Sequence, residues 1–241
     1  MLEVNGLTKR YGKRTIVEDI SFTVPKGEIT ALIGVNGVGK TTILNAIMNL
    51  VPKQAGEVRI DGEPLKYSLY EKISFIPDES IMLLEFTIRE AMDFMRDFYA
   101  SWNEQKAQDI LRFFNLEETM VIKELSKGNI AKVNLLLGFA QDSEYILMDE
   151  PFNNIDIFTR EEIANIFTTT LVEDKGVLIT THEIDEIERL VDHVILLDRT
   201  RIAKEFNVEQ MRMDEGKSIV DVMREVYQSQ QLASWEGDEY E

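Results

Sequence analysis

The alternation of hydrophobic and polar residues near the start of the chain is typical of β-strands. Residues 16–24, IVEDISFTV, place apolar side chains at about every second position, and residues 29–33, ITALI, are almost entirely apolar. The Pro-Lys-Gly-Glu segment between them predicts a turn, because proline and glycine favour turn conformations. The first 34 residues are therefore predicted to be rich in β-structure.

Helical spacing first appears after residue 40. Ile43, Leu44, Ile47 and Met48 recur at intervals of three and four residues, which places them on one face of a helix. A glycine-rich loop at residues 34–39 joins the preceding apolar strand to this helix. The predicted order is therefore strand, loop and helix.

The rest of the chain divides into a helical segment and an alternating α/β segment. Residues 57–60 and 73–76 have strand-like sequences, and residues 87–141 carry helical periodicity almost throughout. The elements predicted after these are strand 145–148, helix 158–171, strand 177–181, short helix 184–190 and strand 194–197. Such alternation predicts a parallel α/β core. One more amphipathic segment, residues 218–227, precedes an acidic end that we expect to be frayed.

Composition narrows the choice of partners. The chain has 241 residues, of which 44 are acidic and 26 basic; the formal net charge of −18 disfavours nucleic-acid binding. Nucleotides stay possible, because backbone NH groups, one lysine and a divalent cation can bind their phosphates. The absence of cysteine excludes disulfides and cysteine metal sites. With no signal peptide and no apolar run of ~20 residues, we expect a cytoplasmic protein.

Residues 34–42, GVNGVGKTT, fit the phosphate-binding pattern G-x-x-x-x-G-K-[ST]. The glycines allow positive φ and a close approach of the backbone, so that several NH groups can converge on one anion. Lys40 brings a positive charge to the terminal phosphates, and Thr41 offers a hydroxyl to Mg²⁺. The alternative is a glycine turn with an incidental lysine, but the position between strand and helix favours nucleotide binding. The candidate nucleotide-binding residues are Gly34, Asn36, Gly37, Val38, Gly39, Lys40, Thr41 and Thr42.

Residues 145–151, YILMDEP, end an apolar strand with two carboxylates and a proline. A buried parallel strand presents such carboxylates at its C-terminal edge, where ligands bind in α/β sheets. Asp149 is predicted to hold Mg²⁺ through its water shell, and Glu150 to orient and polarise the attacking water. The alternative is a strand that simply ends in these residues, but a second carboxylate beside a phosphate loop favours a hydrolase.

With these motifs the chain closely resembles the nucleotide-binding subunits of bacterial ATP-binding cassette (ABC) transporters over essentially its whole length. Residues 125–129, LSKGN, are similar to the family signature LSGGQ. They retain Ser126 and Gly128, which the family uses to contact the γ-phosphate bound by the partner subunit. Lys127 and Asn129 depart from the pattern, and LSKG resembles a subgroup associated with peptide and drug export.

The resemblance implies further roles, each with a structural alternative. Tyr11 corresponds to the aromatic that stacks on adenine, residues 153–156 with Asp156 to the D-loop at the dimer interface, and His182 to the catalytic switch histidine. The alternatives are a strand-end core aromatic, a helix N-cap and an ordinary loop histidine, respectively. The Thr-Thr-His-Glu context of His182 favours the switch role. His193 lacks that context and is predicted to be structural.

One position departs from the family in a way that bears on mechanism. The family usually places glutamine after the strand at 73–76, where it binds Mg²⁺ and the attacking water; here Asp78 stands there. An ionised aspartate accepts hydrogen bonds from metal-bound water but cannot donate one. We expect metal binding to persist, with Thr41, Asp78 and Asp149 as the candidate metal-binding residues.

The fold implied is α/β: a P-loop NTPase core of the ABC ATPase type with a parallel sheet, an antiparallel β subdomain and a helical subdomain. We expect one ABC ATPase domain over residues 1–241. Within it, 1–78 and 142–204 form the β subdomain and the RecA-like core, 79–141 the helical subdomain, and 205–241 a helical, acidic C-terminal tail.

The implied function is that of a subunit that binds and hydrolyses ATP with Mg²⁺ and so powers a transporter, with export of a peptide, drug or small amphiphile favoured. Its implied partners are an integral membrane permease on the inner face of the membrane and a second nucleotide-binding subunit, arranged head to tail; no nucleic acid is expected. The main alternative is a soluble ABC-type ATPase acting on ribosomes or chromosomes, which the net charge and the lack of a coiled-coil insertion disfavour. A P-loop switch GTPase is disfavoured because no N-K-x-D-like motif is present.

Overall fold

The computed structural model describes residues 1–78, 85–153, 155–167, 174–182, 184 and 188–227. The strands are β1 (Leu2–Tyr11), β2 (Arg14–Val24), β3 (Ile29–Ile33), β4 (Ala55–Ile60), β5 (Glu63–Pro64), β6 (Ile73–Ile76), β7 (Tyr145–Asp149), β8 (Gly176–Thr181), β9 (His193–Asp198) and β10 (Arg201–Asn207). The helices are α1 (Lys40–Ile47), α2 (Ile88–Phe98), α3 (Glu104–Phe113), α4 (Lys127–Ala140), α5 (Ile157–Phe167) and α6 (Val208–Glu215), followed by helical residues 219–227, here α7. Short 3₁₀ turns lie at Tyr67–Lys72 and Ile122–Glu124.

A six-stranded sheet in the order β10-β9-β3-β8-β7-β6 forms the centre of the fold. All neighbouring strands are parallel except β9 and β10, which confirms the predicted parallel core. Strands β3, β7 and β8 are buried at every position, as expected for strands covered on both faces. The register pairs Ile33 with Thr181 and Asp149 with Thr180, so the loops after these strands meet at one edge.

The predicted β-rich opening forms a second, antiparallel sheet in the order β2-β1-β4-β5. Leu2 lies opposite both Val24 and Ile60, and all three side chains are buried. One hydrophobic cluster joins this sheet to α1 and to one face of the parallel sheet, through residues such as Leu32 and Ile43. The phosphate-loop helix is therefore held between the two sheets.

The helical segment packs against the opposite face of the parallel sheet. Helix α2 begins with a capping box formed by Thr87 and Glu90, while Asn103 and Ser126 cap α3 and α4. A second hydrophobic cluster joins these helices to buried residues of the parallel sheet, such as Met148 on β7. The helical periodicity predicted over residues 87–141 is thus confirmed.

The C-terminal part differs from the prediction in one element. Strand β10 extends to Asn207, whereas residues from 205 onward were expected to be helical. Along β10, an edge strand with charged side chains, exposed residues alternate with partly buried ones. The composition of such a strand does not distinguish it from a polar helix. Helix α5 matches the predicted helix as far as Phe167. The expected helix end at 168–171, residues 185–187 of the short helix expected at 184–190, and the acidic end from residue 228 lie outside the described residues. Residues 188–190, expected at the end of that short helix, form a turn.

Asp142, in the turn after α4, joins three segments of the fold. Its carboxylate accepts hydrogen bonds from Lys106 on α3 at 2.7 Å, from Lys175 before β8 at 2.8 Å and from Asn103 at 3.3 Å. Burial alone raises the pKa of Asp142, but the hydrogen bonds from Lys106, Lys175 and Asn103 outweigh it and hold the pKa well below its usual range. The charged form therefore stabilises the fold.

Asp142→Asn should lower the free energy of unfolding at pH 7 by about 1 kcal/mol, a value reduced for partial solvent exposure. Asparagine tolerates the left-handed backbone at this position, where φ is 55°, so the change removes mainly the charge. Because the folded pKa lies below the unfolded value of about 4, the difference should shrink as the pH falls below about 4. Urea unfolding at several pH values measures this, with exposed Asp97→Asn on α2 as the control. A pH-independent difference would contradict the charge-based account.

Candidate active site

A cavity of about 770 Å³ lies at the edge where the parallel strands end. Its lining residues are Arg14, Ile16, Asn36, Gly37, Gly39, Lys40, Thr41, Thr42, Asp78, Glu150, Asn153, Arg160 and His182. They come from β2, from the loop and first turn of α1, from α5, and from the segments that follow β6, β7 and β8. Residues distant in sequence thus converge on a space large enough for a small-molecule ligand.

The glycine loop has the backbone geometry of an anion-binding loop. Gly37 and Gly39 have φ of 81° and 116°, conformations that residues with a Cβ rarely adopt. A Cβ on Gly39 would lie 2.9 Å from Val17, whereas one on Gly37 would meet no atom of the described residues within 4 Å. Helix α1 begins at Lys40 without a capping hydrogen bond from any described side chain, so its first NH groups can bind an anion.

Lys40, Glu150 and His182 form one chain of polar contacts in the cavity. The Lys40 Nζ donates to the carbonyl of Gly34 at 2.7 Å and lies 3.0 Å from Glu150 Oε1. Glu150 Oε2 lies 2.8 Å from His182 Nδ1 and accepts from the His182 backbone NH at 3.3 Å. Since Lys40 and Glu150 are 5% and 11% exposed, their attraction is only weakly screened. An anionic ligand that reaches Lys40 must compete with Glu150.

The two acidic residues at the end of β7 form hydrogen bonds with β8. Asp149 is buried and accepts a hydrogen bond from Thr180 Oγ1 at 2.6 Å. The Glu150 backbone NH donates to the Thr180 carbonyl at 3.1 Å, and Glu150 has a φ of 47°. Such a conformation is uncommon for glutamate and directs its side chain toward Lys40 and His182.

Asp78 enters the cavity from the end of β6. Both of its carboxylate oxygens accept from the Asn153 side-chain amide, at 3.4 and 3.3 Å. Arg160, on α5, lines the same cavity while its Nε donates to the Ile155 carbonyl at 3.0 Å. Asn153 and Arg160 were not predicted to line a cavity.

Arg14 and Ile16 were also missed, although the sequence carried a signal for them. They alternate along β2, so both side chains point to the same face. Arg14 lies directly opposite Tyr11 across the hairpin. The expected role of Tyr11 beside a nucleotide therefore implied that its cross-strand neighbour Arg14 would face the same ligand.

Several predicted residues lie outside the cavity lining. Tyr11 is half exposed at the end of β1, with Lys9 Nζ 4.4 Å from the centre of its ring. Gly34 contributes its carbonyl to Lys40, and Val38 is buried in the hydrophobic cluster around α1. His193 lies away from the cavity on β9, where its Nε2 is 2.8 Å from Glu205.

Ser126, Gly128 and Asp156 form a separate group at the start of α4 and α5. Ser126 Oγ accepts from the Asn129 NH, and Asp156 Oδ1 accepts from the Thr159 NH at 3.0 Å. A Cβ on Gly128 would lie 3.1 Å from Thr159 Oγ1. Hydrogen bonds from Thr159 lower the pKa of Asp156. Within one chain, Asp156 therefore acts as the N-cap of α5.

Comparison with known proteins decides the family. A model of the ABC transporter family matches residues 17–153, more than half of the chain. The chain belongs to the ABC transporter family. This ABC ATPase is the ATP-binding subunit of a transporter, and it hydrolyses ATP bound with Mg²⁺.

Similar ABC proteins include subunits of importers and of exporters. The petrobactin import ATP-binding protein of Bacillus subtilis is 31% identical over 88% of this chain and 88% of its own length. The lipopolysaccharide export system ATP-binding protein of Haemophilus influenzae is 29% identical over 89% of this chain and 94% of its own. A solved ATP-binding subunit of an ABC transporter superposes with a TM-score of 0.84 at 26% identity, covering 94% of this chain and 99% of that one. The P-loop NTPase fold of the ABC type is thereby confirmed.

The cavity of this ABC ATPase fits Mg-ATP chemically. Loop NH groups, Lys40 and the hydroxyls of Thr41 and Thr42 suit a polyphosphate. Among the described residues, no group of three or more histidine, aspartate or glutamate side chains could hold a metal ion. Mg²⁺ binds through one or two carboxylates together with waters and substrate phosphates, and Asp78 and Thr41 bring a carboxylate and a hydroxyl to the cavity lining. Within the described part of the chain, no helix is long and apolar enough to span a membrane.

Proposed function

We propose that two copies of the ATP-binding subunit, or one copy and a similar chain, close head to tail around ATP. The observation that supports this is the separation of two sets of residues within one chain. Lys40 and Glu150 line the cavity, whereas Ser126 and Gly128 are not among its lining residues and lie at the start of α4. A second chain would bring its own Ser126 and Gly128 to the γ-phosphate and so complete the site.

The residues predicted to bind the nucleotide and the metal have separate roles in this proposal. Lys40 binds the terminal phosphates in place of Glu150, and the loop NH groups bind the remaining phosphate oxygens. Mg²⁺, when bound, neutralises phosphate charge and polarises the bond to be broken. Thr41, Asp149 and Asp78 are the residues that would hold the metal. Tyr11 stacks on the adenine.

Glu150 is the base of this proposal. Release from Lys40 makes its Oε1 available to the attacking water, while His182 continues to contact Oε2. The carboxylate can then accept a hydrogen bond from the attacking water and orient it toward the γ-phosphate. His182 positions Glu150 and senses the phosphate. Asp156 faces the partner chain in the closed dimer.

Hydrolysis weakens the dimer, because Ser126 and Gly128 contact only the γ-phosphate. The opening moves a permease, which holds the subunit on the inner face of the membrane. We propose export of a peptide, drug or small amphiphile, supported by the LSKG signature and by similarity to a lipopolysaccharide exporter subunit. The transporter relatives support this class over an ATPase of ribosomes or chromosomes.

Mixing two inactive variants tests the shared site. Lys40→Ala should inactivate the loop, and Ser126→Asp should repel the partner's γ-phosphate while keeping an effective N-cap on α4. Each variant alone should be inactive. Their mixture should recover part of the wild-type ATPase rate, because a mixed dimer contains one site with both intact halves. No recovery, with mixed dimers verified by mass, would contradict head-to-tail sharing.

The membrane partner and the direction of transport need a second measurement. Affinity purification of the Glu150→Gln variant from membranes with ATP should yield a multi-span protein, identified by mass spectrometry. In vesicles that carry the identified protein with the wild-type subunit, ATP-dependent uptake by inside-out vesicles would support export. Uptake by right-side-out vesicles loaded with ATP would support import. Co-sedimentation with ribosomes instead of membranes would contradict the transporter assignment.

A further inference from the structure

Asn153 occupies a position in the cavity that the proposed roles leave unexplained. It follows β7 by a short turn, in which its NH donates to the Glu150 carbonyl at 3.0 Å. That turn aims the Asn153 side chain at Asp78, across the cavity from the end of β6. Both side chains line the cavity together with Lys40, Glu150 and His182.

The hydrogen-bonding capacities of Asp78 and Asn153 are complementary. An ionised carboxylate offers only acceptors, whereas an amide offers two N–H donors and an acceptor. The Asn153 Nδ2 lies 3.4 and 3.3 Å from the two oxygens of Asp78, a geometry that one of its two N–H groups can satisfy. Its second N–H group and its carbonyl oxygen can still bind water or phosphate.

The negative charge of Asp78 gives a second reason for its contact with the neutral Asn153 side chain. Asp78 and Glu150 are two carboxylates that line one cavity, and both would face the anionic end of a nucleotide. A carboxylate beside the phosphates is tolerated when hydrogen-bond donors and a divalent cation offset its negative charge. Asn153 supplies a neutral donor that adds no charge of its own.

We propose that Asn153 is a positioning residue that acts with Asp78 as a single donor–acceptor unit. Asp78 accepts hydrogen bonds from waters, including those that surround Mg²⁺. Asn153 orients that carboxylate and supplies the N–H donor that Asp78 lacks. The two side chains together perform what one amide side chain at position 78 would do. This inference rests on the proposed ATPase site and concerns the orientation of the attacking water and the metal waters within it.

Asn153→Ala should lower kcat about 10-fold, since the water is less well oriented, while the Kd for ATP changes less than about 3-fold. In an Asp78→Gln background the same change should cost less than about 2-fold, because glutamine carries its own N–H donor. A residue with a merely structural role would give the same loss in both backgrounds. Asn5→Ala, an exposed asparagine on β1 of the antiparallel sheet, is the matched control.

A second readout does not depend on turnover. In Glu150→Gln protein, the Mg²⁺ concentration that half-saturates ATP binding should rise about 3- to 10-fold on adding Asn153→Ala, because Asp78 loses the hydrogen bonds that Asn153 donates. With Asp78→Gln also present, that rise should disappear. If Asn153→Ala protein unfolds, Asn153→Ser keeps a hydroxyl donor and should give a smaller loss with the same dependence on residue 78.

Equal effects of Asn153→Ala in the two backgrounds, or no effect in either, would overturn the inference. Measurements on the same protein preparations distinguish failure of this inference from failure of the proposed function. If Glu150→Gln still binds ATP and closes a dimer, only the role of Asn153 is lost. If Glu150→Gln forms no dimer with ATP, the head-to-tail proposal itself is wrong.

Discussion

Glu150→Gln should lower the ATP hydrolysis rate by about 10²- to 10⁴-fold, the range expected for loss of a general base. Glutamine keeps the size of the side chain but cannot accept a proton from the attacking water. The same change removes the ion pair with Lys40 Nζ at 3.0 Å, so the phosphates no longer compete for that lysine. ATP should therefore bind at least as tightly as in the wild type, and the closed dimer should accumulate.

Steady-state hydrolysis, ATP titration and size-exclusion chromatography with ATP measure these three effects. Glu205→Gln is the matched control, because Glu205 also lies 2.8 Å from a histidine nitrogen, that of His193 on β9, away from the cavity. It should change none of the three. A Glu150→Gln protein that hydrolyses ATP at the wild-type rate would remove Glu150 from the role of base.

The sequence predicted the parallel core because its strands are short, apolar and separated by helices. Ile29–Ile33 and Tyr145–Asp149 are buried along their full length, and such runs are typical of strands covered on both faces. The C-terminal ends of parallel strands share an edge, so the sequence alone places the glycine loop and the carboxylates together. Local motifs and strand direction were sufficient to predict that these two motifs lie at the same edge of the sheet.

Contacts that depend on register could not be predicted in the same way. The bridge from Lys40 through Glu150 to His182 requires β3, β7 and β8 to align as they do, together with a positive φ at Glu150. The approach of Asn153 to Asp78 depends on the turn after β7. Such details arise from tertiary packing, which a pattern of residue types does not encode.

Strand β10 was missed for a different reason. An edge strand interrupted by charged residues, here Arg201, Lys204 and Glu205, lacks the apolar run on which strand prediction depends. Its pairing with β9 extends the sheet past the point where the sequence suggested a helical tail.

Arg14, the hairpin partner of Tyr11, shows that cross-strand pairing carries information that single-strand patterns do not.

Lys40→Ala should weaken ATP binding by about 10- to 100-fold, the loss expected for charge-assisted hydrogen bonds to phosphate. The structure adds a second effect in the absence of nucleotide. Glu150 is 11% exposed and would lose the cation at 3.0 Å, so the variant should be less stable than the wild type by about 1–2 kcal/mol. That value is reduced because the cavity admits water and His182 still contacts the carboxylate.

The double variant Lys40→Ala/Glu150→Gln separates the two effects, because glutamine needs no cation. It should recover most of the lost stability in nucleotide-free urea unfolding, yet its affinity for ATP should stay as low as that of Lys40→Ala. Lys132→Ala, which breaks the ion pair of a buried lysine with Glu162 away from the cavity, is the control for lysine removal. It should leave ATP affinity unchanged. If the double variant were as unstable as Lys40→Ala, loss of packing around the lysine, and not an uncompensated Glu150 charge, would explain the destabilisation.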